Sequence, residues 1–154
     1  MSDRIRTIAD QLTGERVDLI RQLTLHEGLR LKPYRCTAGR LTIGIGRNLD
    51  DRGISEAEAR LLLVSDIDHA MRQLESRLPW VRQLSWVRQR VLIDMAINLG
   101  IDGLLRFRKT LGHIEAGRYA EAADEMLNSL WADQVGERAR RLSRMMGSNQ
   151  DPFA

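Results

Sequence analysis

His26-Glu27-Gly28-Leu29-Arg30-Leu31-Lys32-Pro33-Tyr34-Arg35, continued by Cys36-Thr37-Ala38-Gly39-Arg40-Leu41-Thr42-Ile43-Gly44-Ile45-Gly46-Arg47, is the stretch that decides the fold. It opens with a carboxylate, Glu27, at the end of an apolar-periodic segment. Gly28 follows, a residue suited to the position just past a helix end. Two short extended runs come next, Leu31–Arg35 and Arg40–Ile45, separated by Thr37-Ala38-Gly39. The order is helix, stop, β-hairpin. Glu27 at the helix end, Cys36 at the turn and Thr42 on the return strand are therefore expected to converge.

Upstream, Ile5, Ile8 and Leu12 recur at helical spacing, and Ser2 or Asp3 can cap them, so residues 2–13 are expected to be helical. Gly14 breaks that segment. A second helix is expected over Glu15–Glu27, with Val17, Ile20 and Leu23 on one face. Downstream, residues 47–53 are a polar loop. Ser55 with Glu58 three residues on is a capping-box start, and a long helix over Glu56–Arg77 should follow. Leu61, Leu62, Val64, Ile67, Met71 and Leu74 are its expected buried residues, and Pro79 its stop. Beyond it the pattern is helical over Ser85–Leu99, Asp102–Phe107, Lys109–Glu115, Glu121–Leu130 and Gly136–Met145. The last residues, 147–154, read as a frayed tail.

The chain has 154 residues, 43% of them hydrophobic and 29% charged. That is enough for one domain, or two small lobes. No apolar run approaches the roughly 20 residues of a membrane span, and the N-terminus lacks the apolar stretch of a signal peptide. The expectation is a protein made in the cytoplasm, with no integral membrane segment. The single cysteine excludes an intramolecular disulfide. Net charge is +3, carried almost wholly by arginine, since Lys32 and Lys109 are the two lysines. Mild basicity suits an anionic polymer, whether cell wall or nucleic acid. The basic run Arg138-Ala139-Arg140-Arg141 lacks interleaved aromatics, so nucleic acid is not the expected partner. His26, His69 and His113 are scattered without metal spacing, so neither a metal nor a cofactor is expected.

The quoted stretch resembles the active-site segment of the phage-type lysozymes (endolysins, glycoside hydrolase family 24). That family carries Glu, then Asp or sometimes Cys, then Thr, at the spacing of Glu27, Cys36 and Thr42. The flanking Glu-Gly-Leu-Arg-Leu-Lys and Thr-Ile-Gly-Ile-Gly also match. The likeness continues through Val91–Gly100, through Phe107, Thr110 and Leu111, and through Ala122 to Arg141, covering about Asp18 to Met145. The resemblance implies an α+β, predominantly helical fold with a small hairpin lobe (about 28–54), a linking helix (about 55–78) and a helical lobe (about 79–146). These form a single domain over 15–154, with 1–14 as an extension. The cleft is expected between the lobes.

The implied activity is a muramidase cutting the β-1,4 bond between N-acetylmuramic acid and N-acetylglucosamine in bacterial peptidoglycan, as an endolysin that reaches the periplasmic wall after the membrane is permeabilised. A monomer is expected. Glycoside hydrolysis needs a proton donor to the leaving oxygen and a second group at the anomeric carbon. By resemblance Glu27 is the donor, Thr42 with Cys36 holds the attacking water, and Arg138 supports Glu27. Cys36 stands where most family members have Asp. A neutral thiol activates water poorly, while a thiolate can attack carbon directly, so the stereochemical outcome stays open. Asn98, Trp131 and Gln134 match positions lining the family's sugar cleft. Arg47 and Asp66 match a structural ion pair. Gly44 and Gly46 let a backbone come close to a polymer. The alternatives are a non-catalytic wall-binding or lysis-regulating homologue, a nucleic-acid binder, and lytic transglycosylase chemistry.

Overall fold

A computed structural model describes residues 15–154, and the helix expected over 2–13 lies outside these. Contacts divide the chain into two units, with the boundary between Ala59 and Arg60. In the first unit, α1 (Glu15–Glu27) leads into a three-stranded antiparallel sheet of order β1 (Arg30–Arg35), β2 (Leu41–Gly44) and β3 (Arg47–Asn48). Gly28 ends α1 as expected: its φ is 73° and its N–H donates to the Thr24 carbonyl at 2.9 Å. That left-handed step carries no Cβ penalty at glycine. Thr42 sits in the middle strand, opposite Tyr34 on one side and Asn48 on the other. The loop expected over 47–53 thus begins as the third strand.

The long helix α2 (Glu56–Arg77) starts on the expected capping box. Ser55 Oγ accepts from the Glu58 N–H at 3.2 Å, and Glu58 Oε2 accepts from the Ser55 N–H at 2.7 Å. Its apolar positions are corrected. Leu61, Leu62 and Val64 are about half exposed, Ile67 and Met71 are partly buried, and Leu74 is buried. Leu61 to Val64 are consecutive, so at 100° per residue they ring the helix and no single face can bury them. Packing begins at Ile67.

The second unit is helical. After a 3₁₀ turn over Pro79–Gln83 come α3 (Trp86–Leu99), α4 (Ile101–Leu105), α5 (Arg108–Glu115), α6 (Tyr119–Leu127), α7 (Leu130–Val135) and α8 (Glu137–Ser148). The architecture is mainly helical with a small sheet, as the α+β reading required. The core centres on Val91, Leu92 and Met95 of α3, with Leu104, Ile114, Met126 and Met146 from the helices around it. The helix expected to run through Leu130 instead stops at Leu127 and restarts. Ser129 is the reason: its Oγ accepts from the Ala132 N–H at 3.1 Å and caps α7.

The tail read as frayed is anchored. Arg88 donates to the carbonyls of Met146 and Gly147, Ser85 hydrogen-bonds Asn149, and Arg90 pairs with Asp151. Phe153 lies within cation–π reach of Arg90 and Arg141. Composition hid this, because every anchor lies far away in sequence.

Candidate active site

Glu27 closes α1, and its side chain turns onto the β2–β3 turn. A Cβ built on Gly46 would stand 2.7 Å from Glu27 Oε2 and 2.9 Å from Cδ. Gly46 also has a φ of 72°. Both facts require glycine, one for space and one for backbone conformation. The close approach expected at Gly46 is therefore made by the protein's own carboxylate. Gly44 has open space where its Cβ would be.

Cys36 follows β1 directly. Its N–H donates to the Arg40 carbonyl at 3.0 Å, and its carbonyl accepts from the Gly39 N–H at 2.8 Å. The backbone of Arg40 and of Ala38 holds the thiol's pKa below the ordinary value; burial opposes them, and the Thr42 side chain adds a lesser lowering. The net effect favours the thiolate. Thr42 is 4% exposed and its Oγ1 donates to the Arg40 carbonyl at 3.0 Å. Cys36 and Thr42 are thus brought together by the hairpin, and Glu27 is seated on the turn that follows Thr42's strand.

Arg47 departs from its expected partner. Its Nη1 and Nη2 donate to the two Glu58 oxygens at 2.9 and 2.6 Å, and Nη1 also reaches the Gly53 carbonyl at 3.3 Å. The pair expected with Asp66 is replaced by a two-pronged pair with Glu58, whose planar match to guanidinium is hard to better. Arg47 and the Ser55 N–H drive the Glu58 carboxyl down to about 2. The capping box signalled Glu58's first role; nothing in the sequence signalled this second one.

In the helical unit, Asn98 and Trp131 meet. The indole Nε1–H donates to Asn98 Oδ1 at 2.8 Å. Trp131 is 4% exposed and lies edge-on to Phe107, with ring centroids 5.8 Å apart. Its faces are packed in the core, so it positions Asn98 rather than stacking on a sugar itself. With Oδ1 occupied, the Asn98 NH₂ group is left to face solvent. Gln134 is exposed on α7. Arg138 Nε donates to Asp94 Oδ1 at 2.7 Å, a partner the sequence did not suggest. Arg138 and Asp94 line a groove of about 480 Å³ with Ile93, Ile97, Leu142 and Phe153. No group of three or more potential metal-ligating side chains occurs among the described residues, and none of their helices is long and apolar enough to cross a membrane.

With this geometry in view, comparison with known proteins gives a consistent family. Residues 24–145 match the family model described as phage lysozyme. Probable T4-type lysozymes 1 and 2 of Dictyostelium discoideum are each 30% identical over 149 residues, covering 78% of this chain and 88% of theirs. The pre-baseplate central spike protein Gp5 of Enterobacteria phage T4 is 27% identical, covering 84% of this chain but 28% of its own length. The chain belongs to the phage lysozyme family, and as a lysozyme it is a glycoside hydrolase.

Proposed function

We propose that this lysozyme is a muramidase acting on peptidoglycan, cleaving the β-1,4 bond between N-acetylmuramic acid and N-acetylglucosamine, and that it serves host lysis once the membrane has been breached. Glu27 is the general acid: its carboxyl gives a proton to the leaving sugar oxygen. Thr42 and Cys36 hold the water that attacks the anomeric carbon. The observation that carries the reading is the cluster on the hairpin, with Glu27 seated on Gly46 and Cys36 and Thr42 brought together where β1 and β2 meet, both tied to Arg40.

Cys36 stands where the family commonly has a carboxylate. The backbone around its sulfur favours negative charge there, which supports the sulfur in the carboxylate's electrostatic role. Asn98, with its amide fixed by Trp131, is assigned to an N-acetyl carbonyl, and exposed Gln134 to the sugar rim. Arg138 is assigned the supporting role the resemblance implies for it. The test is digestion of outer-membrane-stripped Gram-negative walls. Wild type should release reducing N-acetylmuramic ends, and Glu27→Gln should be slower by about 10² to 10⁴-fold. A loss below about threefold refutes Glu27 as the acid, and anhydro ends in place of reducing ends refute hydrolysis.

A further inference from the structure

We infer that the N-terminal end of α5 is a binding site for a phosphate dianion, free or as a sugar monoester. The inference does not rest on the muramidase reading. α5 spans eight residues, Arg108–Glu115, and no side chain caps its start. Its first turn carries no acid and two cations, Arg108 and Lys109. This is the wrong sign for helix stability, because the first turn's free N–H groups already make that end positive. Arg106 adds a third cation one residue before the helix cap. None of the three has an ion-pair partner among the described residues. Three cations gathered without an ion-pair partner at a positive helix end, with the single carboxylate of Glu125 nearby, point to an anion from outside.

Thr110 supplies the independent observation. It is 3% exposed, yet its hydroxyl makes no hydrogen bond among the described residues. No side-chain oxygen or nitrogen there is sealed from solvent without a partner. The Thr110 hydroxyl therefore opens into the cavity that the residue lines. That cavity has a volume of about 350 Å³ and is lined by Arg106, Arg108, Lys109, Thr110, Glu125 and the Asn128–Ser129 turn. The lining holds three cations and one carboxylate, Glu125, which leaves two positive charges for a dianion. Backbone N–H groups at the helix start, the Thr110 hydroxyl and the cationic side chains suit a tetrahedral oxyanion with several acceptors.

The test is amide-proton NMR of the full chain at low ionic strength, titrated with inorganic phosphate. Saturable shifts at the Lys109 and Thr110 amides are expected. The double variant Arg108→Gln/Lys109→Gln should weaken binding about tenfold or more, through two lost charge-assisted contacts. Glu125→Gln should tighten it, and Thr110→Val should weaken it while leaving the rest of the spectrum unchanged. A parallel titration with N-acetylglucosamine 1-phosphate separates the sources: tighter binding identifies a sugar monoester, equal binding free phosphate. Shifts that stay linear with phosphate, that survive the double variant, or that N-acetylglucosamine alone reproduces would overturn the site.

Discussion

The carboxylate of Glu27 rests on the backbone of Gly46, so closely that a methyl group on Gly46 would stand 2.7 Å from Oε2. A helix end and a hairpin turn, 19 positions apart in the chain, are thereby fitted to one another. The carboxylate's place is set by what the turn lacks. Gly46→Ala should push the Glu27 side chain aside and strain a backbone with φ of 72°. The expected result is a loss of wall-clearing rate on the order of 10²-fold, since small misplacements of a reacting group carry costs of that size. Gly44→Ala is the comparison: it has the same backbone strain without the collision, so it should lose less activity for a similar loss of stability.

Cys36 yields a pH experiment. Its pKa lies below the ordinary thiol value, chiefly through the backbone of Arg40 and Ala38, with a lesser contribution from the Thr42 side chain. Alkylation by iodoacetamide follows the thiolate, so its half-maximal rate should fall at a lower pH than for a free thiol. Thr42→Val removes the hydroxyl's lesser lowering effect and should move that midpoint slightly upward. In the activity assay, Cys36→Asp should match or exceed wild type if the residue orients water. Cys36→Ser should abolish turnover only if sulfur itself attacks carbon. The anomeric configuration of the first product decides between the two.

Glu58 should make the first unit sensitive to acid. Its folded pKa, about 2, is depressed below the unfolded carboxylate value near ~4.3. A depressed pKa gives stability that is fully present above the unfolded value and is lost as pH falls through the folded one. The stabilisation should therefore fade between about pH 4.3 and about 2. Glu58→Gln removes this dependence, so the difference in urea midpoint between wild type and variant should shrink across that window. A constant difference would refute the assignment.

Trp131→Phe keeps the ring but deletes the indole donor to Asn98. Leaving that acceptor without its partner should lower stability by about 1–2 kcal/mol. A mobile Asn98 should also raise KM more than it lowers kcat on wall fragments. An unchanged KM would count against Asn98 as a sugar contact.

Removal of residues 151–154 deletes the Asp151 ion pair with Arg90 and the Phe153 ring beside Arg90 and Arg141. Both partners of the pair are about a quarter exposed, so the expected cost is modest, a small fall in the thermal midpoint. A truncated chain with an unchanged thermal midpoint would restore the frayed-tail description.

Much of the architecture was legible because it is local. Gly28 as a helix stop, the Thr37–Gly39 turn and the Ser55/Glu58 box each act within a few residues, and short-range chemistry leaves a short-range signature. The family likeness carried the rest of the topology. What escaped was long-range or conditional. Leu61, Leu62 and Val64 looked buried because hydrophobicity alone does not say which side of a helix faces a neighbour. The break before α7 turns on a single serine cap. The partner of Arg47 escaped because only geometry selects Glu58, and Asp94 beside Arg138 left no local signal because the two lie 44 positions apart. Trp131 matched a cleft-lining position, and only its burial and its bond to Asn98 show that its ring is packed in the core.

Glu58 caps α2 through Ser55 and grips the third strand through Arg47 with the same carboxylate. A register slip in the sheet would pull Arg47 away and take with it one half of the helix cap. The hairpin and the opening turn of α2 are therefore a single cooperative foldon. Their amide protons should exchange with solvent at a common opening free energy, and the variant that unlocks one element should unlock the other.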